Sequence, residues 1–293
     1  MATLTNDVEL HRRQNALVWK FGYGSNMSLN NLRQKKGLNP QAAKRVVLPN
    51  FSLSFPLGYG IDFVEPSFAT LKRITGEEVH GVAALMSVAD AVHLDDQEGA
   101  YLVELHRTET YDGETITVEV YVSQNLSSEH PESHCSDRYR ALLVRGAEEN
   151  NLAPNWVEKL RCLPIYKPSA ETLNARKLLP HPSSLPTMTV AELARHNSND
   201  GDHPVYVGSC GYIFEHTPIF TVMWGRDVTN RNVMHYRGLN LQRHDDGGKP
   251  PFPRLSDLTP GELEYALRYR DRFSHKCVGG MPIAVLREFW EGQ

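Results

Sequence analysis

The sequence predicts a fold that mixes strands with helices, and three observations carry that reading. Strand-like and helix-like segments alternate through the first half of the chain. The step Asp112-Gly113 joins two runs of alternating apolar and polar residues, a strong hairpin signal because Asp-Gly supplies the positive φ of a tight antiparallel turn. Helix starts with a hydroxyl at the cap and a carboxylate three residues later recur at Ser87, Thr189 and Thr259.

The elements follow in chain order. Residues 1–15 are polar with early acids, so they read as a frayed tail and not as a secretory leader. Ala16 to Phe21 is an apolar run that reads as a strand, and Ser28 to Leu32 reads as the first turns of a helix. Between them lies Gly22-Tyr23-Gly24-Ser25-Asn26-Met27. Glycines there allow positive φ and close approach of backbone to a ligand. N–H groups at the start of the next helix would then favour an anion, or an oxygen that becomes negative during reaction. Val46 to Phe55 is a strand with a turn at Pro49-Asn50, and Glu78 to Met86 is another. Ser87 opens a helix with Val88, Ala91, Val92 and Leu94 on its apolar face and Gly99 as its stop. Tyr101 to Tyr111 and Thr115 to Val122 form the hairpin, and Arg138 to Glu149 and Pro154 to Leu163 are short helices.

Pro164, Pro168, Pro180, Pro182 and Pro186 then mark residues 169–188 as an extended connector, with room for a short helix at Ala170 to Leu179. Residues 189–293 start again with a short helix from Thr189 to His196. Strands at Val205 to Phe214 and Ile219 to Trp224 follow, then a loop at Asp245 to Pro251, a helix from Thr259-Pro260 and a final helix opened by Pro282.

Composition bounds the function. The 293 residues suffice for one large or two small domains, and 40% hydrophobic content supports a substantial core. A net charge of −4 gives no global field toward nucleic acid or membrane. No apolar run is long enough to span a bilayer. Cys135, Cys162, Cys210 and Cys277 are scattered with no C-x-x-C pair, so reduced thiols in a cytoplasmic protein are the simplest account.

A second marked stretch is Leu94-Asp95-Asp96-Gln97-Glu98-Gly99. Glu98 would end the helix opened by Ser87, where the helix dipole disfavours a carboxylate. In an apolar site desolvation would raise its pKa further and make it a proton shuttle near neutral pH. Taken alone, the same stretch also reads as a solvated helix end.

The strand, the Gly-Tyr-Gly-Ser-Asn turn and the later Gln97-Glu98-Gly99 helix end together resemble the gamma-glutamylcyclotransferase family. Tyr101 and Tyr121 on the strands that follow, the run Tyr139 to Leu152 with its Gly146-Ala147 step, and Trp156 to Leu160 extend the likeness over residues 16–168. The resemblance implies an α+β catalytic domain around a small mixed β-barrel with surrounding helices; residues 189–293 form an α+β accessory region resembling no family. It implies that Tyr23, Gly24, Ser25, Asn26 and Met27 bind a gamma-glutamyl group, that Glu98 is the general acid/base, and that Tyr121 and Tyr139 line the pocket. It also implies a cofactor-free reaction that releases 5-oxoproline. Whether the turn holds the substrate carboxylate or the oxyanion stays open. The chain departs from the family where Val64-Glu65-Pro66-Ser67-Phe68 replaces a Gly-Gly-rich approach to Ala69-Thr70. The expected partner is a small gamma-glutamyl substrate, with no nucleic acid and no membrane; a homodimer stays open.

Other readings compete. The pocket could bind gamma-glutamyl or related acidic metabolites without turnover. Gly208-Ser209-Cys210-Gly211 could form a thiol site with His216 or His235 as base and Asp227 as orienter. His130, His134 and Cys135 are close in sequence, but Pro131 interrupts any helix that would align them on a metal. Arg226, Arg231, Arg237 and Arg243 are interspersed with acids, which weakens a nucleic-acid reading. Trp224 to Asp227, or the loop His244 to Pro251, would be a lid if the last third serves the site.

Overall fold

The protein is seen in a computed structural model that describes residues 2–57, 65–98, 101–123, 131–196, 204–215, 254–274 and 280–292. The chain forms two compact units, Met1–Tyr166 and Lys167–Gln293. Gly99, the strand expected at Ile219 to Trp224 and the loop at Asp245 to Pro251 lie outside the described residues.

The first unit runs β1 (Thr3–Leu4), α1 (Asn6–Gln14), β2 (Leu17–Gly22), a 3-10 turn (Ser25–Met27), α2 (Leu29–Gln34), β3 (Ala42–Ser54), β4 (Thr70–Ser87), α3 (Val88–Gln97), β5 (Tyr101–Thr110), β6 (Thr115–Ser123), α4 (Asp137–Glu149) and α5 (Pro154–Arg161). Five of its strands close a barrel in the order β2-β4-β3-β5-β6, and β6 returns to β2 through the parallel pairs Lys20↔Glu119 and Phe21↔Val120. The other neighbours in the ring are antiparallel, so the barrel is mixed. The Asp112-Gly113 hairpin forms with register Glu109↔Thr115, and Gly113 takes φ +81. Val18, Val46, Leu48, Val79, Val103 and Val118 are fully buried, so residues from both faces of the strands share one apolar core with the helix faces.

Three expectations for this unit change. The N-terminal segment is no frayed tail. Thr3–Leu4 pairs in parallel with Leu102 and Val103 of β5, and α1 buries Val8 and Arg12. Its polar composition concealed a helix whose Arg12 has buried acidic partners on the barrel side. Pro49-Asn50 is not a turn at the start of a strand. Asn50, at φ +62, sits at a register break between the pairs Pro49↔Glu78 and Phe51↔Arg73 of two long strands, where this one residue faces residues 74–77 of β4. It is stabilised where the Gly76 N–H donates to Asn50 Oδ1 at 3.1 Å. β4 is also far longer than Glu78 to Met86, because β3 covers it from end to end.

In the second unit β7 is Thr187–Met188, and β8 (Tyr206–Ser209) and β9 (Tyr212–Glu215) form a hairpin. Cys210 at φ +48 and Gly211 at φ +76 supply the two positive-φ residues of its turn, so Val205 to Phe214 is two strands where one was expected. Ala284–Leu286 is a strand between Thr187–Met188 and β9, where all three residues are buried; the final helix is confined to Arg287–Trp290. Thr189 and Glu192 form the expected reciprocal cap. Arg176 donates to Glu264 at 2.7 and 2.8 Å and to Asp271 at 2.7 Å, tying Ala170–Lys177 to the helix Pro260–Ser274.

Candidate active site

The site begins with close backbone packing at the end of β2. A Cβ on Gly22 would lie 2.5 Å from the Asn26 carbonyl oxygen, and one on Gly81 of β4 would lie 2.4 Å from the Gly22 carbonyl oxygen. A Cβ on Gly24 would come within 3.1 Å of Tyr139 Oη. These glycines therefore permit close approach. Neither turn glycine has the positive φ expected from the sequence, and Gly24 sits at φ −108.

The turn is held from several sides. The Met27 N–H donates to the Gly24 carbonyl at 3.1 Å, which leaves the N–H groups of Ser25 and Asn26 ahead of the turn's own first bond. Asn31 Nδ2 donates to the Ser25 carbonyl at 3.1 Å. From α4, Asn150 Nδ2 donates to the carbonyls of Met27 at 3.0 Å and Gly146 at 2.8 Å. Gly146 is small because Met27 packs on it. The helix then stops in a Schellman arrangement: Asn151 turns left-handed at φ +51, and Leu152 N–H returns to the Ala147 carbonyl at 2.9 Å. The Gly146-to-Leu152 run noted in the sequence thus clamps the turn.

α3 delivers the carboxylate. Its cap is Ser87, whose Oγ accepts from the Asp90 N–H at 3.0 Å, and Ala91, Leu94 and Asp95 face inward. Glu98 is the C-cap residue, and Asn26 Nδ2 donates to its Oε1 at 3.1 Å. The surroundings of Glu98 are not the apolar ones expected: Lys36 Nζ also donates to Oε1 at 3.1 Å. Asn26 Oδ1 is buried without a hydrogen-bond partner.

These residues line one cavity of about 330 Å³, together with Phe21, Gly22, Phe68, Ala69, Gln97 and Tyr101. That volume suits a small metabolite. Of the residues singled out from the sequence, Tyr23, Gly24, Ser25, Asn26, Glu98, Tyr121 and Tyr139 all line it. Met27 does not; its side chain is fully buried in the core, where the next turn of chain needs an apolar anchor. Phe68 fills one wall and meets the Tyr139 ring edge-on at 5.3 Å. Tyr139 Oη accepts weakly from the Ala69 N–H at 3.4 Å, and Tyr23 Oη donates to the Tyr121 carbonyl at 2.8 Å. Burial pushes the phenols of Tyr23, Tyr121 and Tyr139 upward, so they line the cavity as neutral groups.

Behind this wall sits a charge cluster absent from the sequence reading. Lys20 Nζ donates to Asp95 Oδ1 at 2.8 Å and to Glu119 Oε2 at 3.0 Å. Arg12 is bidentate to Glu119 at 2.8 and 2.5 Å and lies 2.7 Å from Asp95 Oδ2. Tyr121 Oη donates to Asp95 Oδ1 at 2.5 Å, so that hydroxyl is turned away from the cavity. Burial alone would raise the Asp95 carboxyl, but the charge of Lys20 and hydrogen bonds from Arg12, Lys20 and Tyr121 hold it below the usual range. Lys20 and Glu119 are buried strand residues that face each other across the parallel β2–β6 pair, which brings opposed charges together. Lys36, beside a helix-stopping glycine, carried no signal in the sequence.

The rival thiol does not fit a nucleophile. Cys210 lies buried in the β8–β9 turn, and burial pushes its thiol up to about 11. His216, Asp227 and His235 lie outside the described residues, as do His130, Cys277, both candidate lid segments and the Arg226 to Arg243 group. No helix among the described residues is long and apolar enough to cross a membrane.

No family model matches the sequence. Curated relatives do. A gamma-glutamylcyclotransferase of Homo sapiens is 32% identical over 151 residues, covering 49% of this chain and 77% of that protein. One of Mus musculus is 30% identical over 168 residues, covering 54% of this chain and 86% of that protein. A solved gamma-glutamyl cyclotransferase structure shares 26% identity over 55% of this chain and 98% of its own, with a TM-score of 0.45.

Proposed function

Because the chain belongs to the gamma-glutamylcyclotransferase family, we propose that it cleaves a gamma-glutamyl amide by intramolecular attack and releases 5-oxoproline with an amine or amino acid. The observation that carries this reading is the contact between Glu98 Oε1 and Asn26 Nδ2, 3.1 Å long, inside the cavity beside the Tyr-Gly-Ser-Asn turn.

The reaction needs five events. The alpha-ammonium gives a proton to Glu98. The freed nitrogen bonds to its own gamma-carbonyl carbon. The departing nitrogen takes that proton back from Glu98, and the gamma-amide C–N bond breaks. The regenerated carboxylate then accepts the second proton from the ring nitrogen, which leaves a neutral lactam, and passes it to the released amine. Holding the chain folded makes ring closure unimolecular, worth several kcal/mol of the barrier. One shuttling carboxylate contributes about 10²–10⁴-fold. Asn26 orients Glu98 through Nδ2, and its buried Oδ1 is an acceptor suited to an ammonium. The Ser25 and Asn26 N–H groups suit either the substrate carboxylate or the developing oxyanion.

The test is a panel of gamma-glutamyl amino acids and gamma-glutamyl amines with 5-oxoproline as the readout. Turnover of at least one member is expected. Saturable binding across the panel with no 5-oxoproline would replace the enzyme with a binding module.

A further inference from the structure

We propose that Lys36 is a positioning residue for the cyclisation, supplying the counter-charge to Glu98 and fixing which carboxylate oxygen faces the substrate. The proposal rests on the reaction assigned above and names a residue that the sequence signature of the turn and the helix end does not contain.

The backbone holds Lys36 firmly. It follows the cap of α2, where its N–H donates to the Asn31 carbonyl at 3.2 Å. Gly37 then turns left-handed at φ +68, and the buried Leu38 returns its N–H to the Leu32 carbonyl at 3.0 Å. Two successive side chains of α3's end grip the residue so placed. Gln97 Nε2 donates to the Lys36 carbonyl at 3.1 Å, and Glu98 accepts from Lys36 Nζ at 3.1 Å. Both Lys36 and Glu98 line the cavity, and their side chains are 21% and 19% exposed, so solvent screens the pair only in part.

The surroundings give that ion pair a task. Aromatic rings from Tyr23, Tyr101, Tyr121 and Tyr139 wall the cavity. Phenols offer Glu98 no positive charge, and Asn26 from the turn offers only a neutral amide. Asp95, one turn back on α3, is an anion already bound by Lys20 and Arg12. Lys35, beside Lys36, has its ammonium lowered by desolvation and by Arg138 and Arg145 of α4. Among the described residues, Lys36 is the cation paired with Glu98. A carboxylate facing aromatic walls without a counter-charge is driven toward its protonated form, which cannot accept the ammonium proton that starts the reaction. Lys36 opposes this. By occupying Oε1 jointly with Asn26, it also leaves Oε2 as the oxygen for proton transfer.

The experiment is the pH dependence of kcat/KM for 5-oxoproline release in wild type, Lys36→Met, Lys36→Gln and Lys36→Arg. The acid limb is expected to move up by about one pH unit in the two uncharged variants and to stay at the wild-type position with arginine. Above the shifted limb, the uncharged variants should recover activity, which general damage to the site would not produce. An acid limb that stays put in Lys36→Met and Lys36→Gln overturns the proposal, whatever happens to KM. The carboxyl titration of Glu98, followed by 13C NMR with Glu98→Gln as the assignment control, reads the same shift without turnover. Wild-type protein that makes no 5-oxoproline would thus remove the assigned reaction, while an unmoved titration in Lys36→Met would remove the role of Lys36.

Discussion

Gly22 and Gly81 meet with no room for a side chain, and the position of the Asn26 amide follows from that contact. Gly81→Ala would drive a methyl to 2.4 Å from the Gly22 carbonyl and 2.6 Å from the Phe21 ring. The end of β2 must then shift, carrying the turn with it. The expected result is a loss of about 1–3 kcal/mol in stability, with a larger fall in turnover than the small volume change suggests; denaturant melts and 5-oxoproline rates check both. At this scale much of the site was legible. The turn and Glu98 stand out because glycines, a cap and a helix stop fix them locally. The Met27 side chain lies in the core, and its sequence context does not separate that placement from one facing a ligand. Lys36 was not legible at all, since its partner lies on another helix and nothing local separates it from a surface lysine.

Elements bring these residues together, and the buried charges behind the cavity link α1, β2, α3 and β6. Arg12, Lys20, Asp95 and Glu119 form two cations against two anions, all nearly inaccessible to solvent. Removing one member leaves another unpaired in the core, so Arg12→Met or Asp95→Asn should cost about 3–5 kcal/mol in chemical denaturation. The pH dependence has a definite sign. The Asp95 carboxyl is depressed in the folded state, so its stabilisation is complete above the ordinary carboxylate range near pH ~4 and is lost as pH falls through the lower folded value. Asp95→Asn should therefore be less stable at neutral pH and show a shallower acid unfolding limb than wild type. The frayed-tail reading of residues 1–15 failed for the same reason that this cluster went unseen. α1 is polar in sequence, and its worth lies in one arginine that reaches acids more than eighty residues away. Hairpins and caps, whose determinants are local, were legible from the residues; the small mixed β-barrel was expected through the family resemblance alone, because its closing β2–β6 pair joins strands distant in sequence.

At the scale of the whole molecule, the cavity and its supporting cluster belong to the unit Met1–Tyr166, which has its own closed barrel and core. A chain ending at Tyr166 is expected to fold and to keep 5-oxoproline formation with unchanged substrate preference. Loss of activity from a folded fragment would assign residues 167–293 a part in the site. In the proposed reaction Glu98 moves the proton that frees the amine and releases the leaving group, and this role sets the reading of the site. It is tested most directly by single-turnover 5-oxoproline release from Glu98→Gln alongside calorimetric binding of the same gamma-glutamyl compound. Release slowed by about 10²–10⁴-fold, with near wild-type affinity and melting temperature, is the expected result. Release at the wild-type rate from Glu98→Gln would contradict it.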